Sequence, residues 1–199
     1  MKSNNILHIT ERLHHFACDK VTYHRYGEIY DLILGYLALV NGGPITMLEI
    51  GVDSGLSARA FATSNHVDLY IGIESDDRKF NDCSQILDDF PNIKLYHMNG
   101  YIEDTVAIIC EEHPEINLCV DDGSHEFEDI DFFFTHYFNC LAPGGILVAE
   151  DIKTLYFLSA HSFAHIKHRW KTEYNILLLP LLFNSQEPND ENIALRFKP

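Results

Sequence analysis

Residues Cys119–Asp129 read CVDDGSHEFED, and the apolar stretch INLCV runs straight into them. A run of strand length ends in Asp121 and Asp122, turns through Gly123 and Ser124, and reopens at Phe127 as FEDIDFFFTHYFNCL, a helical pattern. That is the strand–turn–helix unit of a sheet covered by helices. Two carboxylates at the end of a buried strand are costly unless something compensates them. The compensation could be a metal ion, a cationic ligand, or a helix cap formed by Ser124 or Asp122. His125 stands three residues after Asp122.

The same unit recurs on both sides. ITMLEIG (45–51) leads into SGLSARAFATS (54–64), VDLYIGIE (67–74) into DDRKFNDCSQILDDF (76–90), and NIKLYHM (92–98) into IEDTVAIICEEH (102–113). After the opening stretch, PGG turns into ILVAED (146–151). Alternation with short turns predicts an α/β fold, a doubly wound and mostly parallel sheet with helices on both faces. Upstream, Tyr26, Ile29, Tyr30, Ile33, Leu34 and Leu37 recur at helical spacing until NGGP (41–44) stops them. Downstream, TEYNILLLPLLF and ENIALRFK have no helix between them and predict an antiparallel pair. The chain is expected to be one domain over 1–199, with a helical N-terminal segment (1–43) and an α/β core (44–199).

The formal net charge of −16 argues against a nucleic-acid partner. Five scattered cysteines without a C-x-x-C pair predict free thiols in a reducing compartment. MKSNNILHITERLHH breaks its apolar residues with charge, unlike a signal peptide, and ILLLPLLF is too short to span a membrane. The expectation is a cytoplasmic enzyme or binding protein without a membrane partner; whether it forms a homo-oligomer stays open.

In such sheets ligands bind beyond the carboxyl ends of the strands. Here four of those ends carry acids: LEIGVDSG, GIESDD, VDDGSH and VAED. Gly51 and Gly55 sit in a strand-to-helix turn, but Asp53 stands where a dinucleotide fingerprint has its second glycine. A pyrophosphate beside Asp53 would be repelled, so a cofactor without phosphates fits better. Glu74 follows Gly51 by 23 positions, the usual interval for a carboxylate that binds ribose hydroxyls. Together they point to an adenosine-containing cofactor.

MLEIGVDSGLS, YIGIESDDR, CVDDGSHEFEDI and LAPGGILVAEDIKTLY, in this order, resemble class I S-adenosylmethionine-dependent methyltransferases, most closely the metal-dependent sugar O-methyltransferases of macrolide antibiotic biosynthesis. DKVTYHRYGEIYD (19–31) is similar to that group's N-terminal segment, which covers the site. The resemblance implies a Rossmann-like, seven-stranded sheet with one antiparallel strand. It implies S-adenosylmethionine and Mg2+ (or Mn2+) as cofactors and a small hydroxylated substrate, a sugar or natural-product moiety. It implies Asp122, Glu150 and Asp151 as metal ligands and His125 as general base. Its cofactor set is Glu49, Gly51, Gly55, Ser57, Glu74 and Asp121.

The chemistry agrees. Oxygen-rich ligands suit magnesium or manganese better than zinc, and neighbouring strand ends let Asp122, Glu150 and Asp151 converge. A neutral imidazole at His125 can take a hydroxyl proton. One departure is Tyr101, where the family usually has an aspartate; Glu103 and Asp104 are the nearest carboxylates. The competing readings are a nicotinamide-dependent oxidoreductase, for which the glycine fingerprint is missing, and a cofactor-binding module without turnover. His161, His165 and His168 share a helical face and are read as a solvated or substrate-facing surface.

Overall fold

The computed structural model describes residues 8–153, 164–180 and 192–199; His161 lies outside them. Its centre is a seven-stranded sheet. Strands β1 (Ile45–Ile50), β2 (Val67–Glu74), β3 (Ile93–His97), β4 (Ile116–Asp121) and β5 (Leu141–Ala149) are followed by β6 (Leu177–Pro180) and β7 (Asn192–Phe197). The order is β3-β2-β1-β4-β5-β7-β6. β1 to β5 pair in parallel, and β7 lies antiparallel between β5 and β6. The chain reverses its lateral direction between β1 and β4, which opens a crevice at their carboxyl ends.

Both faces of the sheet are buried, so its strands read as near-continuous apolar runs. Side chains alternate across a strand. Met47, Tyr70, Leu118 and Val148 join one core, and their neighbours Leu48, Ile71, Cys119 and Leu147 the other. On the first face lie α1 (Ile9–His15), α3 (Gly27–Asn41), α4 (Leu56–Ala62) and α5 (Asp77–Leu87). On the second lie α6 (Glu103–Glu112), α7 (Phe127–His136) and Trp170 of α8 (Ala164–Thr172). The indole Nε1 of Trp170 donates to Asp131 at 2.9 Å. α2 (Asp19–Thr22) is one short turn. α3 buries Tyr30, Ile33, Leu34 and Leu37 on one stripe and ends at Gly42, whose φ of +71° forms a left-handed cap.

Three expectations are corrected. PGG is not a turn before β5 but lies inside it. β5 pairs Leu141 with Ile116 and Ile146 with Leu118, so Ala142–Gly145 bulge from the ladder, and Gly144 and Gly145 bond to Lys198 instead. The helix after β4 starts at Phe127, with Glu126 rather than Ser124 or Asp122 at the cap position and no side-chain cap there; Ser124 Oγ instead accepts the Glu126 N–H at 3.2 Å. Not all cysteines are free. α6 packs beside a 3-10 turn at Tyr137–Cys140, bringing the Cα atoms of Cys110 and Cys140 to 4.8 Å in a disulfide. Cys18, Cys83 and Cys119 are free and buried. The bond removes the ground on which cysteine usage argued for a reducing compartment. No helix among the described residues is long and apolar enough to cross a membrane.

The disulfide closes a separation of 30 residues, for which chain entropy gives roughly 3–4 kcal/mol of stabilisation. The Cys110→Ser/Cys140→Ser variant should lose about that much in urea unfolding, and peptide mapping without reductant should recover the two cysteines linked. Alkylation of both thiols in the native chain would contradict the bond.

Candidate active site

The acids of four strand ends meet at the crevice. Asp122 N–H bonds to the Ile50 carbonyl at 3.0 Å, Glu150 N–H to the Asp121 carbonyl at 3.0 Å, and Gly51 N–H to the Ile73 carbonyl at 2.9 Å. The backbone is unusual here: Asp53 (φ +47°), His125 (φ +56°) and Asp151 (φ +51°) are left-handed without being glycine. Such residues concentrate at functional sites. Gly51 (φ +87°) has a more local reason. A Cβ there would sit 2.2 Å from the Asp122 carbonyl oxygen, so the crossing of two strand ends demands glycine before any ligand is considered.

A fully buried lysine organises the acids. Lys20, on α2, is 1% exposed. Its Nζ lies 2.6 Å from Asp122 Oδ2, 2.5 Å from Glu150 Oε2 and 3.2 Å from Glu49 Oε1. Tyr30 donates to the other oxygen of Glu150. Tyr70 and Ser57 donate to Glu49 Oε2, Ser57 at 2.7 Å. Burial opposes charge on Lys20, but Asp122, Glu150 and Glu49 outweigh it and hold the ammonium well above its ordinary range. Burial pushes the carboxyls of Glu49 and Glu150 upward despite Lys20, because one ammonium cannot balance three acids out of water.

Outside this inner group, Asp122, His125 and Asp151 place ligand atoms within 4.8 Å of one another, all half-buried. Tyr26 donates to Asp151, and His24 Nδ1 lies 3.5 Å from Asp151 Oδ1. Burial raises the Asp151 carboxyl despite the Tyr26 hydroxyl. Two carboxylates with an imidazole at the edge suit a magnesium or manganese ion that keeps water or ligand oxygens. Glu150 is not placed with them. Both its oxygens are engaged inside the fold, by Lys20 and Tyr30.

Beside the acids lies a cavity of about 370 Å³ whose walls include Gly51, Glu74, Met98, Tyr101, Asp122 and Gly123. A smaller one, about 210 Å³, runs between Cys18–Asp19 and the Gly51–Ser57 turn, and it shares Gly51, Asp53 and Asp122 with the first. Glu74 is 6% exposed and fixed by three backbone N–H groups, those of Asp53 (3.0 Å), Ser75 (2.9 Å) and Asp76 (2.9 Å). Lys79 pairs with Asp53 at 2.7 Å and lowers its carboxyl. Gly55 (φ +76°) starts α4 against Leu87. Ser57 lines the smaller cavity, whereas Glu49 is fully buried beneath it. Asp121 is 2% exposed, and burial raises its carboxyl to about 6.

The departure at Tyr101 acquires a role. Its hydroxyl donates to Asp121 Oδ1 at 2.5 Å and accepts from the Ser124 N–H at 3.1 Å. It ties the turn after β3 to the end of β4. The sequence reading missed Lys20 and the hydroxyls of Tyr26, Tyr30, Tyr70 and Tyr101. Lys20 is 102 and 130 residues from Asp122 and Glu150, so no local spacing could reveal the pairing.

Residues 48–152, just over half of the chain, match a family model described as a methyltransferase domain. No curated protein matches the chain. Among solved structures it is similar to MycE methyltransferase from the mycinamycin biosynthetic pathway in complex with Mg, SAH and mycinamycin VI, with a TM-score of 0.71 and 19% identity over 96% of this chain. This chain spans only 54% of the MycE chain. An O-methyltransferase from Bacillus cereus in complex with SAH gives a TM-score of 0.61 and 15% identity over 96% of this chain and 90% of that one. The N-methyltransferase NodS from Bradyrhizobium japonicum WM9 gives 0.55 and 16% over 83% of this chain and 92% of that one. At these identities the likeness shows a shared fold.

The Tyr101 hydroxyl also explains Gly123, where an added Cβ would meet that oxygen at 2.2 Å and the ring carbon behind it at 3.2 Å. Gly123→Ala should cost about 1–3 kcal/mol. In a Tyr101→Phe background the same change should cost clearly less, because the clashing atom is gone. Equal costs in the two backgrounds, measured by denaturant unfolding, would contradict this packing.

Proposed function

Because the chain belongs to the methyltransferase domain family, we propose that it is an S-adenosylmethionine-dependent O-methyltransferase that works with Mg2+ or Mn2+ on a hydroxyl of a small molecule, a sugar or natural-product moiety. The observation that carries this reading is the charge at the sheet edge. Glu49, Asp122 and Glu150 gather around one ammonium, and Asp151 stands beside Asp122, an arrangement that favours added positive charge. A sulfonium cofactor and a divalent cation both bring it.

S-Adenosylmethionine supplies an electrophilic methyl group whose sulfonium leaves without protonation. Glu74, held by three backbone amides, presents a fixed acceptor to the ribose hydroxyls. The turn from Gly51 to Ser57 and the smaller cavity beside Cys18 and Asp19 fit the amino-acid end. No phosphate has to pass Asp53.

A divalent ion on Asp122 and Asp151 would orient an acceptor hydroxyl and make it more acidic. His125, beside those two acids, takes the hydroxyl proton. This pairing of acids and base is what favours oxygen over nitrogen as the methylated atom. A neutral amine attacks without losing a proton first, whereas a hydroxyl is a weak nucleophile until it is deprotonated. For the acceptor, a cavity of about 410 Å³ lies on the N-terminal segment, lined by Thr10, His14, Val21, His24, Arg25 and Glu28. It borders the acids through His24, and its size suits a small hydroxylated molecule.

The test is transfer of a labelled methyl group from S-adenosylmethionine to a panel of sugars and diols. Transfer should stop in chelator and return with magnesium or manganese. His125→Ala should lose ~10²–10⁴-fold in rate while SAH binding by calorimetry is unchanged. Full activity after exhaustive chelation would remove the metal, and an unchanged rate in His125→Ala would remove the base.

A further inference from the structure

We propose that Lys20 is a built-in cation of the acidic edge, which keeps Glu49 and Glu150 out of metal coordination and leaves one divalent site on Asp122 and Asp151, beside His125. The inference rests on the metal-dependent reading above and deepens it. Its basis is the placement of oxygens. Glu150 has one oxygen on Lys20 Nζ and the other on Tyr30. Glu49 has one oxygen on Ser57 and Tyr70, and the other faces Lys20 at 3.2 Å. An ammonium has three hydrogens and no acceptor; here it faces three carboxylates.

Asp122 stands at the boundary. Its Oδ2 lies on Lys20 at 2.6 Å, and its side chain is 20% exposed where Glu49 and Glu150 are at 0% and 1%. It is the acid that belongs to both groups. Lys20 cannot swing away without unpacking its surroundings. Its N–H bonds to Asp19 at 2.9 Å, and its carbonyl receives the Tyr26 N–H at 2.9 Å. Tyr26 in turn donates to Asp151, so one segment positions an acid of each group. A second ion among Glu49, Glu150 and Lys20 would meet a fixed like charge at contact distance, where the interior screens poorly. Lys20 is therefore a positioning residue: it touches no reacting atom, and it decides which acids face the ion.

The experiment is titration of Mn2+ into the full chain, followed by calorimetry and by the electron paramagnetic resonance of free Mn2+, with SAH binding measured on the same preparations. Wild type should bind one ion. Glu150→Gln should bind one ion within about threefold of wild type, whereas Asp151→Asn should weaken it at least about tenfold. Lys20→Met should raise the stoichiometry from one ion to two, because three carboxylates then lack their internal cation. A merely structural lysine would change melting temperature and leave the stoichiometry at one, which would overturn the proposal. So would a Glu150→Gln variant that loses the ion as Asp151→Asn does. If Lys20→Met does not fold, the contrast between Glu150→Gln and Asp151→Asn still decides. A wild type that takes up no Mn2+ yet binds SAH overturns the metal-dependent reading itself, and this inference with it.

Discussion

One ammonium among three carboxylates holds the working end of this molecule together. Lys20 contributes nothing to the sheet, yet it bridges the ends of β1, β4 and β5 through Glu49, Asp122 and Glu150. A buried charge is tolerated only when it is paired and hydrogen-bonded, and removing one partner of such a pair typically costs about 3–5 kcal/mol. The pairing therefore locks the N-terminal segment onto the carboxyl edge of the sheet. It also brings Tyr26 to Asp151 and Tyr30 to Glu150. The crevice that topology opens between β1 and β4 is thereby roofed by residues from the first thirty of the chain.

This divides the acids by depth. Glu49 and Glu150 are enclosed inside the fold against Lys20, while Asp122 and Asp151 remain half-buried beside His125. Three cavities open around that outer group. One reaches Glu74, one runs under the Gly51–Ser57 turn, and one is bordered by His24. The first two share Gly51, Asp53 and Asp122, and the third meets the acids only through His24, which lies 3.5 Å from Asp151.

Much of the fold was legible because its signals are local. Alternating apolar runs and helical spacing located the strands and most helices, and NGGP marked the end of α3 at Gly42. Leu177–Pro180 and Asn192–Phe197 form the antiparallel pair expected of TEYNILLLPLLF and ENIALRFK. Glu74 and Gly51 line one cavity. What escaped the reading depends on tertiary neighbours. PGG carries turn residues, but pairing on both sides draws it into β5 as a bulge. Cys110 and Cys140 are apart in sequence and meet only because α6 packs on a 3-10 turn. Glu150 and Asp151 are chemically alike and adjacent, yet successive residues face opposite ways, so one turns to Lys20 and the other to His125. Gly123, read as a turn residue, makes room for a hydroxyl from 22 positions upstream, an account that begins with Tyr101.

The central claim is that the carboxyl edge of this sheet holds a methyl donor and a single divalent ion, with Lys20 as its permanent cation. Anomalous diffraction from crystals grown with Mn2+ and SAH tests it most directly. The account predicts one manganese peak at ligand distance from Asp122 and Asp151, SAH with its ribose on Glu74, and Lys20 still seated on Glu150. A peak bound by Glu150 with Lys20 displaced, or SAH density away from Glu74, would contradict it.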